Sequence, residues 1–161
     1  MNPLVERHPL EPFLPDNCIV LFLGSFPPQR KRWAMEFFYP NCINDHCRIE
    51  GLVWFNDKNR FVDMERKTFK LDEIKALLLQ RGMGYYDTAT AVRRLADNAS
   101  DKFLEVVEQT DIDALIAPLK ELRAIAVTGE KACQTICSYY SVKAELKTNT
   151  FILLPNGLRL Y

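Results

Sequence analysis

Six residues without a polar interruption, Cys18-Ile-Val-Leu-Phe-Leu23, stop abruptly at Gly24. A strand with one wet face would alternate apolar and polar residues. A continuous β-branched and aromatic run instead predicts a strand buried on both faces, as in the interior of a parallel sheet. Arg123-Ala-Ile-Ala-Val-Thr128 repeats the design and stops at Gly129, and Met83 to Ala89 predicts a further strand between them. Helical patterns separate these runs. Buried strands alternating with helices imply an α/β fold, a three-layer α/β/α sandwich on a mostly parallel central sheet. Such sheets bind ligands beyond the carboxyl ends of their strands. The search for chemistry therefore narrows to Gly24 through Pro28, Asp87 through Thr90 and Thr128 through Lys131.

The spacing predicts a helix over Asn44 to Phe55, with Ile49, Leu52 and Val53 on one side. Asn56 to Lys70 is a polar excursion. Leu71 to Arg81 carries Leu71, Ile74, Leu77 and Leu78 on one stripe, and Gly82 ends it. Thr110-x-x-Asp113 has the form of a capping box opening a helix that ends near Leu119. A last helix spans Glu130 to Tyr140. Phe151 to Leu154 and Leu158 to Tyr161 predict a hairpin, with Asn156-Gly157 supplying a type I′ turn. No repeat, linker or low-complexity tract interrupts the 161 residues, so one domain over 1–161 is expected.

Lys and Arg total 21 and so do Asp and Glu, which excludes a wholesale electrostatic grip on nucleic acid but leaves room for a local basic patch. No run approaches the ~18 apolar residues of a membrane span. The lead-in from Met1 to Asp16 holds four prolines and several charges and has the character of neither a signal peptide nor an anchor. Five irregularly spaced cysteines fit a reducing cytosol, hence a cytoplasmic protein, better than a disulfide framework. Cys133 and Cys137 share a helix face as small core thiols. Cys42, His46 and Cys47 with Asp45 have metal-like composition, but no second pair completes four ligands, so no metal site is expected.

Gly24-Ser-Phe-Pro-Pro28 is a stiff, aromatic-bearing loop. It lacks the Lys and Ser/Thr spacing of a phosphate loop. It fits either a wall for a flat ligand or an ordinary strand-to-helix turn. Gln29-Arg-Lys-Arg-Trp33 brings three cations to an aromatic, a composition for phosphate contact and base stacking or for a solvated helix start. Phe37-Phe-Tyr-Pro-Asn follows. Asn44 suits a helix cap and a water-positioning amide equally well.

Together these segments resemble the uracil-DNA glycosylase superfamily. Gly24-Ser-Phe-Pro-Pro28 and Phe38-Tyr39-Pro40 followed by Asn44-Asp45-x-x-Arg48-Ile49 are closest to its hypoxanthine-DNA glycosylase branch. Tyr86-Asp87-Thr88 through Arg93-Arg94 is similar to a Trp-Asp-Val…Glu-Arg-Arg strand and turn of that branch. Arg123 through Ala132 is similar to its Arg-Ala-Ile…Asn-Gly-x-Lys-Ala strand and helix. The likeness runs from about residue 18 to 154. Many branches place Asn, Asp or Glu where Phe26 stands, and a Trp is common where Cys47 stands.

The resemblance implies a base-excision repair enzyme that hydrolyses the N-glycosidic bond of a deaminated base, uracil or hypoxanthine, without cofactor. The alternative is a non-catalytic nucleic-acid or nucleobase binder on the same fold. Asn44 would orient the water, with Asp87 in reserve. Gly24, Ser25, Phe26, Pro27, Phe38, Tyr39 and Asp87 would surround the base, the aromatic pair by stacking. Arg30, Lys31, Arg32, Gly129 and Lys131 would meet DNA phosphates. The partner would be DNA with a damaged base, the protein a monomer away from membranes. No Pro-Ser-x-Ser-like segment lies between Phe151 and Tyr161, so the family's carboxyl-terminal DNA-binding loop is expected to be missing from this chain.

Overall fold

A computed structural model of the chain describes residues 3–98, 100–143 and 145–161. The first two residues of the proline-rich lead-in lie outside that range. The chain divides into two compact units, one formed by Met1–Phe26 with Gly82–Tyr161 and the other by Pro27–Arg81.

The first unit contains a five-stranded sheet. In it β2 (Val20–Gly24) lies between β5 (Met83–Asp87) and β8 (Ala124–Val127), parallel to both. Beyond β8, β10 (Arg159–Leu160) is again parallel, and β9 (Ile152–Leu153) closes the edge antiparallel. The α/β class and the mostly parallel central sheet expected from the sequence are present, with α3 (Ile112–Ile116) and α4 (Glu130–Tyr139) among its flanking helices. Leu21, Leu23 and Ile125 are wholly buried, as inner strands require. From β2 the chain reaches β5 on one side and then returns to β8 on the other. The sheet thus has a topological switch point between the ends of β2 and β8.

The strand expected over Met83 to Ala89 is broken. Thr88 donates its N–H to the Gly24 carbonyl at 2.8 Å, and the chain leaves the parallel sheet there. It continues as β6 (Ala89–Arg94) in a second, antiparallel sheet between β1 (Val5–Arg7) and β7 (Leu104–Gln109). Phe26, Ala89, Val92 and Leu104 pack together, with Val106 beside them.

Two turn assignments are corrected. Asp111, not Thr110, caps α3, accepting from Ala114 N–H at 3.1 Å, while the Thr110 hydroxyl donates to the Asp87 carbonyl. The Pro155-Asn156-Gly157 hairpin is not type I′. Gly157 alone of the three has positive φ, and its N–H reaches the Leu154 carbonyl at 2.9 Å. Pro155 presets the φ of a type I turn, and Gly157 takes the left-handed residue after it.

In the second unit, α2 (Leu71–Arg81) has the expected limits and buries Ile74, Leu77 and Leu78. The polar excursion contains a short hairpin, β3 (Val62–Asp63) with β4 (Thr68–Phe69). Helix α1 (His46–Phe55) forms, but the face expected inside is outside: Ile49, Leu52 and Val53 are 55%, 53% and 66% exposed. Cys47, Glu50 and Gly51 are buried instead. A Cβ on Gly51 would stand 2.5 Å from the Asp57 carbonyl, so the small residues let chain approach there. Glu50 is tolerated inside because Trp54 Nε1–H donates to it at 2.9 Å and His46 Nε2 lies 3.5 Å away. Among the described residues no helix is long and apolar enough to cross a membrane.

Candidate active site

The carboxyl ends of three adjacent parallel strands deliver the site. Register pairs Gly24 with Asp87 and Leu23 with both Tyr86 and Val127, so β2, β5 and β8 stop together. Gly24 is fixed by its neighbours. A Cβ there would lie 2.4 Å from Asp87 Oδ1 and 3.6 Å from Thr128 Oγ1. The glycine therefore lets the Asp87 carboxylate lean over the end of β2.

Asp87 is 7% exposed and is held by a residue that sequence reasoning passed over. His8 follows β1 directly, and its Nε2 stands 2.8 Å from Asp87 Oδ2, both side chains being almost fully enclosed. The other ring nitrogen, Nδ1, is 3.1 Å from Leu10 N and 3.0 Å from Leu10 O. A neutral ring accepts from Leu10 N–H through Nδ1, and an imidazolium donates to the Leu10 carbonyl. In both states Nε2 carries the proton that points at Asp87. The edge of Phe26 and the ring of Tyr86 flank His8 at 5.3 and 4.7 Å between centroids.

A second carboxyl arrives from elsewhere. Asp101, in a single 3-10 turn over Asp101–Phe103, accepts from Ser25 Oγ–H at 2.6 Å. Burial pushes its carboxyl above the usual range, and the charge of Asp87 adds to that, while the Ser25 bond, Lys131 and Arg94 work against it. Arg94 is itself clamped, with Nε 3.0 Å from both oxygens of Glu6 and the guanidinium 5.7 Å from the Phe26 ring centroid.

Of the residues expected around a base, Gly24, Ser25 and Asp87 thus meet at the strand ends. Phe26 is 7% exposed and packed in the apolar cluster. Gly129, at φ 133°, and Lys131 open α4 at the end of β8. A cleft of about 530 Å³ runs from Val127 and Gly129 past Cys133 to Lys147 and Tyr161.

The other expected residues belong to the second unit. Pro27 and Phe38 are buried there. Tyr39, at φ 54°, stacks on His46 with centroids 3.9 Å apart. Burial lowers the His46 pKa to about 4 and raises the carboxyl of Glu50. The exposed Asn44 accepts the His46 N–H through Oδ1 at 2.8 Å, a local cap for α1. Arg30, Lys31 and Arg32 form one short 3-10 turn, where Arg30 is paired with Glu36 and lies 4.1 Å over the Trp33 ring.

His8 and Asp101 were missed because long-range pairing of the antiparallel sheet, not local spacing, brings them in. The available signal was a histidine in an otherwise proline-rich lead-in.

The architecture can be matched. The solution NMR structure described as that of "a putative Uracil DNA glycosylase" from Methanosarcina acetivorans superposes with a TM-score of 0.59, at 22% identity, over 87% of this chain and 81% of that one. The two share a fold. No family model and no curated relative matches the sequence. The uracil-DNA-glycosylase-like fold agrees with the resemblance carried by the four motifs, and it puts the ends of β2, β5 and β8 at the mouth of the central sheet.

Proposed function

We propose that this protein is a DNA glycosylase that hydrolyses the N-glycosidic bond of a deaminated base. The observation that carries the reading is the Asp87 carboxylate, fixed by His8 at 2.8 Å and leaning over Gly24 at the ends of the parallel strands. The fold it shares with the archaeal protein supports the same reading.

In the reaction the base departs with the bonding electron pair, leaving positive charge on the sugar. Water oxygen then bonds to C1′, and its proton goes to the base. A carboxylate near the sugar stabilises that charge and orients the water. Two unit charges 4 Å apart at an effective dielectric of 20 interact by about 4 kcal/mol, roughly a thousandfold in rate. Phe26 has no polar atom and cannot do this, so Asp87 supplies the missing acceptor from the neighbouring strand. The His8 Nε2–H holds one oxygen in place, which removes reorganisation from the reacting step. Extruding the nucleotide costs a few kcal/mol of stacking and pairing, least for an unpaired base.

Asn44 is the second candidate for orienting water, and Arg30, Lys31, Arg32, Gly129 and Lys131 are proposed phosphate contacts. The proposed partner is DNA carrying uracil, hypoxanthine or xanthine. Abasic-site formation on oligonucleotides bearing each base tests the reading. Cleavage that falls by about a thousandfold in Asp87→Asn supports it. DNA binding without cleavage on any substrate would favour a binding protein on this fold.

A further inference from the structure

We propose that the cleft beside α4 is a thiol-exchange site, in which Cys133 forms a mixed disulfide with a small amino-acid-like thiol. The proposal stands independently of the glycosylase reading. Cys133 and Cys137 lie one turn apart on α4, and only the second is a core thiol. Cys137 is 2% exposed, whereas Cys133 is half-buried in the wall of the cleft of about 530 Å³. That volume falls among those of small-molecule sites.

The two sulfurs differ in chemistry. Burial, and after it the neighbouring Cys133, pushes the Cys137 thiol up to about 11. Its S–H is hydrogen-bonded to Cys133, so Cys137 keeps its proton and is not the nucleophile. Cys133 instead borders a space that a second reactant can enter.

Exchange at Cys133 balances without a separate oxidant. Its thiolate attacks one sulfur of a small disulfide, and the new S–S bond forms as the old one breaks. The other half leaves as a thiol, carrying the proton that Cys133 gave up. The adduct then persists. Cβ atoms at i and i+4 of a helix are about 5–6 Å apart, while a disulfide needs roughly 3.5–4.5 Å. Cys137 therefore cannot displace the bound thiol while α4 stays helical.

The lining specifies the ligand. Leu146 and Tyr161 offer apolar surface, and Lys147 suits a carboxylate. Glu130, which accepts from Gln134 at 3.1 Å, has further acceptor positions for an ammonium group. A zwitterionic thiol of amino-acid type matches both signs.

The test incubates the whole chain with oxidised glutathione, a zwitterion, or with cystamine, which carries ammonium groups only. Peptide mass mapping locates the adducts. Cys42 is the internal comparison, being half-buried as well but outside this cleft, with its Sγ–H donated to the Lys67 carbonyl at 3.1 Å. Oxidised glutathione should label Cys133 at least about tenfold faster than Cys42. It should also label Cys133 faster than cystamine does, each rate being referred to the urea-unfolded chain. That advantage should shrink about two- to fivefold in Lys147→Gln, the scale of an exposed ion pair. Lys147 is exposed, so the replacement leaves the fold intact. Labelling of Cys133 no faster than that of Cys42 overturns the proposal, as does a Cys133–Cys137 disulfide in place of the adduct. No advantage over cystamine, or one unchanged in Lys147→Gln, overturns it too.

Discussion

His8 Nε2 and Asp87 Oδ2 lie 2.8 Å apart although 79 positions separate the two residues. Both side chains are enclosed, at 3% and 9% exposure, so loss of either leaves the other poorly solvated. His8→Ala should therefore cost about 3–5 kcal/mol, the scale for stranding one member of a buried pair. His8→Gln, which keeps an N–H donor, should recover part of that. Urea unfolding of the two variants checks it, and a cost below about 1 kcal/mol for His8→Ala would place the pair with weak surface bridges.

Gly24→Ala puts a methyl group 2.4 Å from Asp87 Oδ1. The expected loss of stability is about 1–3 kcal/mol, typical of an overpacked site. Because the carboxylate must shift, the proposed glycosylase activity should fall further than the unfolded fraction explains. Single-turnover rates at a temperature where the variant is folded separate the two effects.

Asn44 offers a sharp division of roles. As the local cap of α1 it should cost about 1 kcal/mol on replacement by Ala, with the rate changed only a few-fold. A loss of 10²–10³ in rate with stability kept would instead make it the water-orienting group. Thermal melts and single-turnover rates on one Asn44→Ala sample decide between them.

The basic turn should contribute few phosphate contacts. Three neutralised phosphates predict a slope near −3 for log K against log salt. Replacing Arg30, Lys31 and Arg32 with Gln should reduce that slope by about two to three. The smaller figure applies if Arg30 stays with Glu36 and Trp33. A slope unchanged by the triple replacement would put the DNA elsewhere.

Asp101 makes stability depend on pH in a defined sense. Its folded carboxyl is raised above the unfolded value, so the folded chain holds the proton more tightly. The stabilisation is fully present below about pH 4 and is lost as pH rises through the raised value. Asp101→Asn should then be more stable than the parent at neutral pH and should flatten the profile. Unfolding curves between pH 4 and pH 8 test this, and a less stable variant at pH 7 would refute it.

The central sheet was readable because three of its strands are short apolar runs closed by glycine or a turn, and Leu21, Leu23 and Ile125 are buried as that pattern demands. Helix α2 was readable to the residue because its apolar stripe and Gly82, at φ 65°, agree. Helix α1 misled, since its inward residues are Cys47, Glu50 and Gly51. Two small residues and one satisfied carboxylate do there what apolar side chains usually do. Strands β1 and β7 left little trace, being short or mostly exposed, and with them went His8 and Asp101. Gly24, Ser25 and Asp87 could be placed together at one end of the sheet because strand ends are legible in sequence, whereas partners supplied by another sheet are not.

The three residues of β1 pair only with β6, at Val5–Arg93, Glu6–Val92 and Arg7–Ala91, and His8 comes next. Among the described residues nothing pairs with the other side of this strand. Edge strands of this length are where native molecules open first, at free energies far below global unfolding. Each time β1 peels away, His8 goes with it and Asp87 meets solvent. On the proposed mechanism, the fraction of molecules ready for chemistry would follow the fraying equilibrium at this margin of the antiparallel sheet. Hydrogen exchange at Glu6 and His8 would measure it directly.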